Sequence, residues 1–405
     1  MHWSKWCPRS ESRKTRRSSP RTGGISSVLC VLSVWLGFCS FAHTMTGIPV
    51  GKDATADKPQ SKAWYQADSW WCILHDGREG SFFYQLKSEG LEKATFPDAL
   101  VFPGDPTRAD VLSNLNELCV LFWGAKESRF YKYRYIPEDR RYSLLEGFPV
   151  NFNFLPGHET AVLAQDSKGV LWVTYESQGT VYVSRSETGL HWQENQALGS
   201  SVADDDISTV ISFGTQLGVF WSNQNMESLH FRIREDHESP QCWNEVEEVT
   251  QGGFVADDHL NMAATKGWVY AATKTSVDDA KGEVVGPTQA QIILNVRSNR
   301  GVWTMYDVAP LSSEDVTRPV VVLDDENREV YVFYRKGDEI VYKHTPLDKI
   351  EFSREPLSAI TVPGVILNNV TSTKQNVNST TGLLILATGS DSRAYHRLIS
   401  IPPAK

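Results

Sequence analysis

Charged and polar side chains stand just ahead of successive apolar runs along this chain. The runs that begin at Ile207 and Leu260 follow Asp-Asp-Asp and Asp-Asp-His, and the run that begins at Ala161 follows Glu159 and Thr160. Carboxylates beside His, Arg and Lys in one concave surface suit acid/base chemistry, or the recognition of a polyhydroxylated or anionic ligand. A single Asp ahead of a strand is more often a turn residue that bonds its own backbone. The recurrence of the pattern in several units is therefore what indicates a site.

The predicted site divides into residues for acid/base chemistry and residues for ligand binding. The catalytic candidates are Asp205, Asp206, Asp257, Asp258, His259 and Glu159. The ligand-binding candidates are His158, Asn223, Gln224, Lys274, Arg318, Lys374 and Asn376. Asp206 and Asp258 are favoured as the acid/base residues, because each lies at the start of a strand in neighbouring units and a nearby carboxylate raises the pKa of one of them. Such an oxygen-rich cluster also suits Ca²⁺, and no other metal or cofactor is predicted.

The elements that must position these residues are short strands. Residues 160–192 contain an apolar run, the turn DSKG, a second run, the turn ESQG and a third run in which Val181 and Val183 alternate with polar residues. Short runs rich in Val, Tyr and Trp that are separated by Gly, Asp and Ser turns are typical of strands. The stretch therefore predicts a four-stranded meander, with Trp192 at the start of the fourth strand.

Copies of this meander follow one another along the chain. Related stretches begin near Glu117, Ile207, Leu260 and Pro319, and the copies start roughly 45 to 60 residues apart, a spacing typical of stacked or radial repeats. None shows helical periodicity. The sequence predicts an all-β fold, a β-propeller in which four-stranded sheets surround a central channel.

Closure of the ring determines the number of blades. The sequence predicts two strands near the start of the domain, at residues 70–75 and 81–86, and two near its end, at 382–388 and 394–401. Neither pair makes a whole meander by itself. Together they predict one composite blade that closes the ring with strands from both termini, which leaves no free edge. This gives six blades. Seven blades are the alternative if residues 362–377 hide another sheet.

The propeller explains why distant residues could meet. The loops ahead of each first strand open on one face of a propeller, and so do the loops between second and third strands. These second loops add Glu176, Asn223, Gln224 and Lys274 to the same mouth. Lys274 is expected to orient an anionic substrate or to keep a partner carboxylate ionised.

The first 42 residues are predicted to lie outside the fold. Seven basic residues and one acidic residue precede an apolar run from Ile25 to Ala42. A basic lead followed by an apolar run is typical of a secretory signal. A membrane anchor is the alternative, because the run has the minimum length for a spanning helix. We predict a signal peptide at 1–42, a linker at 43–62 and a single propeller domain at 63–405, in a protein that is secreted, periplasmic or on the cell surface.

Charge and cysteine content narrow the possible partners. The chain has a net charge of −9 although its first 42 residues are basic, so the remainder is more acidic still. This argues against nucleic acid as a partner. The remaining cysteines, Cys72, Cys119 and Cys242, have no CxxC spacing, and either one disulfide or free buried thiols are compatible with them. A membrane partner is expected only if the first segment is uncleaved, and a monomer is expected.

The stretch RSETGLHW, residues 185–192, resembles a worn copy of the Asp box of sialidases, in which Gly189 and Trp192 match. SNRGVW, residues 298–303, resembles it more faintly. Asp boxes occupy the turn between third and fourth strands, on the face away from the site. The resemblance therefore implies a sialidase-like fold and no particular activity.

Longer stretches resemble a group of secreted bacterial sialidase-like propellers related to the BNR/Asp-box family. They are residues 205–224, 256–276, 317–333 and 371–388. The Phe-Arg-Ile-Pro motif of true sialidases is not reproduced, since YRYIP at 133–137 has an extra residue and falls in a late strand. The resemblance thus implies the fold but not sialidase activity.

Two function classes follow from the predicted mouth. One is a glycan-active enzyme, for example a glycoside hydrolase with paired carboxylates, or a lyase with a Lys or His base. The other is a non-catalytic module that binds a carbohydrate or a protein. A carboxylate pair about 5 to 10 Å apart would favour hydrolysis.

Overall fold

The fold was examined in a computed structural model, which describes residues 46–104, 108–114, 116–123, 127–153, 155, 159–280 and 286–404. The predicted signal segment and His158 lie outside the described residues. Strands dominate, with two short 3-10 helices at Gln224–Met226 and Val277–Ala280. None of the helices in the described part of the chain is long and apolar enough to cross a membrane.

The strands form seven antiparallel sheets, which we number as blades in chain order of their first strands. Blade 1 comprises Ala63–Gln66, Ser69–His75, Gly80–Lys87 and Gly90–Lys93, with Leu100–Pro103 paired to its third strand. Blade 2 comprises Arg108–Asn114, Glu117–Trp123, Ser128–Ile136 and Arg141–Leu144, with Val150–Asn151 paired to its third strand. Blade 3 comprises Ala161–Gln165, Leu171–Ser177, Thr180–Ser186 and Gln196–Ser200.

The remaining four blades have the same order. Blade 4 comprises Ser208–Phe213, Gln216–Asn223, Ser228–Glu235 and Glu247–Gln251. Blade 5 comprises Leu260–Thr265, Trp268–Lys274, Ala290–Arg297 and Trp303–Pro310. Blade 6 comprises Val316–Asp324, Glu329–Lys336, Glu339–Pro346 and Leu357–Ile360. Blade 7 comprises Leu367–Thr371, Leu383–Gly389, Arg393–Ile399 and, from the other end of the chain, Ile48–Pro49.

The predicted β-propeller is confirmed, and the predicted count of six blades is wrong. The chain forms the seven blades that the sequence left as the alternative. Residues 362–377 contain Leu367–Thr371, the inner strand of blade 7, so the strands at the two ends of the chain build two separate sheets. Both termini still contribute to one blade, because Ile48 and Pro49 pair with Ala394 and Arg393.

Turn chemistry explains why the meander of blade 3 forms where the sequence predicts it. Gln178 and Gly179 connect its second and third strands with φ of 48° and 71°. Two successive positive φ values fit the tight hairpins that match strand twist, and glycine adopts them without steric cost. The predicted turn ESQG is therefore present. The fourth strand begins at Gln196 rather than at Trp192, which packs in the preceding turn against Phe152.

The apolar core lies between neighbouring blades. Each of six buried clusters joins residues of adjacent sheets, as in the cluster that combines Trp172 and Val183 of blade 3 with Val219 and Trp221 of blade 4. Gly199 leaves room for this contact, because a Cβ there would lie 2.8 Å from the Trp221 ring. Burial of both faces of every sheet by its neighbours stabilises the ring and fixes the inner strands around the channel.

Candidate functional site at the channel mouth

A segment of the chain crosses the channel between the inner strands. Residues 57–62, which we call the channel segment, belong to the region for which the sequence predicts a linker. The Pro59 carbonyl accepts a hydrogen bond from Asn261 Nδ2 at 3.0 Å, and Gln60 Nε2 donates to the Ala161 carbonyl at 2.9 Å. Ser61 exchanges hydrogen bonds with blade 2, and Thr371 Oγ1 donates to the Gln60 carbonyl. The segment is thus anchored to the inner strands of blades 2, 3, 5 and 7.

The turn ahead of blade 5 supplies the predicted Asp257, Asp258 and His259, which the structure brings together. His259 Nδ1 lies 2.6 Å from an Asp257 oxygen and 2.5 Å from an Asp258 oxygen. Lys274 Nζ lies 2.6 Å from the second Asp257 oxygen and 3.3 Å from Asp278. His259 Nε2 is buried and has no hydrogen-bond partner. This cluster is the centre of the charged mouth.

Lys58 of the channel segment connects the cluster to blade 3. Its ammonium pairs with Asp258 Oδ2 and lies 3.6 Å from Glu159 Oε1. On the other side of Glu159, Arg108 donates to the Glu159 carbonyl at 2.8 Å and pairs with Asp57 at 3.1 Å. Sequence analysis did not include Asp57 and Lys58, because a polar stretch without strand pattern predicts a linker. The only sequence feature that could have pointed to them is a pair of charged residues next to Pro59, shortly before the first strand of blade 1.

The carboxyl groups of Glu159 and Asp258 have opposite pKa shifts. Burial raises the pKa of Glu159, the nearby Asp258 and Asp57 charges add to this, and Lys58 offsets it only in part. Burial also opposes ionisation of Asp258, but the hydrogen bond and charge of His259, followed by the charge of Lys58, hold the pKa of Asp258 well below its usual range. Glu159 therefore holds its proton more readily than Asp258 does.

Glu176 adds a second protonatable carboxyl to the same face. It ends the second strand of blade 3 and is fully buried, and neither of its oxygens has a hydrogen-bond partner of ordinary geometry. Burial raises its pKa well above the usual value, the Ser208 hydroxyl counteracts this in part, and the charges of Glu159 and Asp206 add to it. Glu176 therefore holds its proton more readily than an exposed glutamate does.

The predicted residues of blade 4 make hydrogen bonds within their own loops. Asp206 is fully buried, and both of its carboxylate oxygens accept hydrogen bonds. The donors include the backbone N–H of Ala203 at 2.6 Å, just ahead of Asp206, and that of Gln224 at 3.0 Å, just after the second strand. The Gln224 amide also donates to Asp205, and Asn223 Oδ1 caps the following 3-10 helix at Met226 N. These contacts are those of a turn-forming Asp, the role that a single Asp before a strand most often has.

Arg318 lies at the bulge near the start of the inner strand of blade 6. It contacts residues outside the cluster at the mouth. Its Nε donates to Asn369 Oδ1 at 2.8 Å, and Asn369 Nδ2 donates to Asp53 at 3.1 Å. Arg318 and Asn369 have φ values of 57° and 52°, which fit the bulges at these two strands. Arg318 therefore joins blades 6 and 7 to the N-terminal chain.

Lys374 and Asn376 do not lie at the mouth. The sequence places them ahead of a first strand at 382–388, whereas that strand is the second of blade 7 and the inner strand is Leu367–Thr371. Lys374 lies inside the channel, where it pairs with Asp110 and donates to the Leu163 carbonyl. Asn376 donates to the Ala264 carbonyl and to Asp325, at the far ends of the inner strands of blades 5 and 6.

The channel interior beyond the channel segment is small and partly apolar. A cavity of about 130 Å³ is lined by Pro59, Ser61, Val210, Met262 and Lys374 among others. Burial lowers the pKa of the adjacent Lys62 to about 7, and its ammonium bonds the Gln60 side chain and the Ala109 carbonyl. The volume is below the range of about 300–1,000 Å³ of sites for drug-sized ligands. The mouth, rather than the channel interior, is therefore the candidate site.

The mouth cluster was tested as a cation site. One ligand atom from each of Asp257, Asp258 and His259 lies within 4.8 Å of the others. Ca²⁺ takes six to eight oxygen ligands, whereas this set contains two carboxylates, each paired with a lysine, and an imidazole nitrogen. The residues therefore do not fit Ca²⁺.

The three described cysteines carry free thiols. Cys72 and Cys119 are buried, and Cys242 is exposed. Burial raises the pKa of Cys119 to about 12 and that of Cys72 further. Buried thiols with high pKa values are structural rather than reactive.

The fold and the mouth together define a seven-bladed β-propeller with a charged channel mouth. No protein-family model and no curated protein matches the chain. Among solved structures, the polysaccharide lyase Uly1 is 9% identical with a TM-score of 0.49, over 86% of this chain and 91% of that chain. A protein from Lactobacillus plantarum is 14% identical with a TM-score of 0.48, over 85% and 96% of the two chains. A neuraminidase-like protein from A/bat/Guatemala/164/2009 is 12% identical with a TM-score of 0.47, over 85% and 98%.

These similarities are too distant to carry an argument about activity. The propeller is defined by its own seven sheets, and any function must be argued from the residues of the mouth.

Proposed function

We propose that the protein acts on a glycan at the channel mouth, as a glycoside hydrolase in which Glu159 is the proton donor and Asp258 the ionised partner. The observation that carries the proposal is the opposite pKa shift of these two carboxyls beside one ammonium. Environments that push two carboxyl pKa values apart assign an acid and a base to the pair. Both side chains are partly exposed, at 26% and 19%, so a ligand can reach them.

The separation of the two carboxyls suits glycoside hydrolysis. Because the Lys58 ammonium contacts both carboxyls, the two oxygens that it contacts lie less than about 6 Å apart. Retaining glycosidases use pairs about 5 to 5.5 Å apart, and inverting ones use wider pairs. Glu159 would protonate the leaving oxygen, and Asp258 would attack the sugar or activate a water. His259 and Lys58 favour the ionised form of Asp258. The flexible arm of Lys58 must move aside for the substrate.

A second candidate is a non-catalytic binding module, and the position of Lys58 favours it. A lysine between the two carboxyls occupies the place of a scissile bond if its arm does not move. In that case the mouth binds a polyhydroxylated ligand through its charged rim, without bond cleavage.

A hydrolysis and binding screen of the purified domain against a glycan panel separates the two candidates. Hydrolysis predicts that Glu159→Gln and Asp258→Asn each lower kcat at least about 100-fold. Glu159→Gln should change the free energy of unfolding by no more than about 1 kcal/mol, because its ion pair is partly exposed. Asp258→Asn removes an ionised partner of His259 and Lys58 and should lower the free energy of unfolding, so its kcat is measured at a temperature at which the variant is folded. Glu187→Gln, at a 79% exposed side chain in the turn that follows the third strand of blade 3, is the matched control. Glycan binding without product would support the binding module, and the absence of both would refute the proposal.

We also propose that the protein works outside the cell, as a monomeric member of the secreted bacterial Asp-box-related propellers. The support is the basic lead with an apolar run at 25–42 and the stretch RSETGLHW. In that stretch Ser186 Oγ accepts from Gly189 N at 2.8 Å and donates to the His191 carbonyl at 2.6 Å. The turn joins the third and fourth strands of blade 3, the position that an Asp box takes.

A further inference from the structure

Lys58 occupies the position at the mouth where a ligand would contact Glu159 and Asp258. Its ammonium touches both carboxyls, and its side chain is only 10% exposed. The backbone on either side is fixed, since Asp57 pairs with Arg108 and Pro59 accepts from Asn261. The aliphatic arm of Lys58 is thus the part that can move while the channel segment stays in place.

The blades themselves leave this position acidic. Lys274, the blade 5 cation of the mouth, is taken up by Asp257 and Asp278. Arg108, the blade 2 cation, is taken up by Asp57 and the Glu159 carbonyl. Among the residues that the structure describes, Lys58 is therefore the ammonium that contacts both Glu159 and Asp258, and His259 is the other ion-pair partner of Asp258. Two neighbouring carboxyls in a partly buried site favour a cation between them.

We propose that the mouth recognises a glycan with a free amino group, and that Lys58 is an internal stand-in for the ammonium of this amino sugar. The inference rests on the second candidate under the proposed function, the binding module, and specifies its ligand class, because a sugar ammonium between the two carboxyls takes the place that a scissile bond would need. The sugar ammonium replaces that of Lys58 between Glu159 and Asp258. A uronic acid would meet the ionised Asp258 with like charge, so the structure disfavours the anionic ligand that the sequence suggested.

Calorimetric titration with matched ligands tests the proposal. The probes are a tetramer of glucosamine, the tetramer of N-acetylglucosamine, which lacks the charge, and an oligosaccharide of uronic acids. The wild type should bind the glucosamine tetramer at least about tenfold more tightly than either of the others. Lys58→Met keeps the aliphatic arm and removes the competing ammonium, and it should raise affinity for the glucosamine tetramer about fivefold.

Two further variants keep the test decisive. Lys58→Arg retains the competing charge and should not gain affinity. Lys349→Met removes a lysine that is 84% exposed and pairs only with Glu351, and it should bind as the wild type does. If Lys58→Met does not fold, the ligand comparison on the wild type decides the question by itself.

The outcomes distinguish this inference from the proposed function. Equal or tighter binding of the neutral or acidic oligosaccharide contradicts the amino-sugar inference and leaves a glycan site intact. No binding or hydrolysis of any glycan, in the wild type or in Lys58→Met, overturns both. A lysine-rich peptide that binds more tightly than the glucosamine tetramer would show that the mouth takes a cationic protein segment instead of a sugar.

Discussion

The side chains at the mouth obtain their chemistry from neighbours that are distant in sequence. Lys58 is 200 residues from Asp258, with which it pairs. Sequence patterns predicted the cluster of Asp257, Asp258, His259 and Lys274, because all four flank strands of one meander. They could not predict that Lys58 lies among them, since its position depends on where the channel segment enters the ring. The candidate Asp206 could not be separated from Asp258 by sequence, because both precede a strand.

Substitution of Glu176 by Gln should make stability less dependent on pH. The pKa of Glu176 is raised in the folded state, so the folded protein binds more protons than the unfolded chain above about pH 4.3. Stability therefore falls as pH rises from there toward the folded pKa, by about 1.4 kcal/mol for each unit by which the pKa is raised. Glu176→Gln, which cannot ionise, should match the wild type near pH 4 and exceed it at pH 8.

Urea denaturation at pH 4, 6 and 8 measures this effect. If the difference in the free energy of unfolding between the wild type and Glu176→Gln is the same at pH 4 and pH 8, the pKa of Glu176 is not raised in the folded protein.

Strands and turns are the level at which the sequence was most informative. The inner, second and third strands of blades 3 to 6 lie where short apolar runs predict them. The fourth strand of blade 3 was placed too early, because the packed Trp192 precedes the strand, which begins at Gln196. The outer, fourth strands are half exposed and carry a weaker apolar pattern than the inner strands, so their positions are harder to predict from the sequence.

Blades 3 and 4 are also joined by a buried ion cluster. Arg234 Nη1 lies 3.6 Å from Asp166 and 3.4 Å from Asp236, and all three side chains are 2% exposed. Asp236 also accepts from the Ser167 hydroxyl at 2.6 Å, and Asp166 accepts from Trp172 Nε1. The cluster fixes the turn after the inner strand of blade 3 against blade 4.

Arg234→Met should lower the free energy of unfolding by about 3–5 kcal/mol, because it leaves two buried carboxylates without their cation. Arg328→Met is the matched control. Its guanidinium is 46% exposed and pairs with a 73% exposed Asp348, so its loss should leave the free energy of unfolding close to that of the wild type. Chemical denaturation of both variants provides the comparison. Equal losses would mean that the Arg234 cluster does not join the blades.

At the scale of the whole molecule, the sequence defined the architecture but not the number of blades. The closed ring with strands from both termini is present, yet the closing partners are Ile48–Pro49 and Arg393–Ile399. A two-residue strand in a polar stretch has no pattern to detect. The inner strand Leu367–Thr371 is also short and interrupted by a bulge, so the seventh sheet was not resolved from sequence.

Deletion of residues 382–405 removes the second and third strands of blade 7 and opens the ring. Inner strands of neighbouring blades pack on one another, and Ala63 N donates to the Ser372 carbonyl across the closure. We therefore expect the truncated chain to lose cooperative thermal unfolding, whereas removal of residues 402–405 alone should retain it. A chain truncated at 381 that melts cooperatively near the wild-type temperature would contradict closure as the source of stability.

Export is the second prediction at this scale. The apolar run that ends in Ser40-Phe41-Ala42 predicts cleavage after Ala42. N-terminal sequencing of the protein recovered from the culture medium or cell envelope should begin at His43. An intact N-terminus in the membrane fraction would support the anchor.

The central claim is that the mouth formed by Glu159, Asp258, His259 and Lys58 is the ligand site. A crystal structure of the protein soaked with the oligosaccharide that binds most tightly in the glycan panel tests it most directly. We predict density for a sugar ring within hydrogen-bond distance of Glu159 and Asp258, with the Lys58 arm displaced. Density confined to the outer faces of the blades or to the opposite end of the channel would contradict this account.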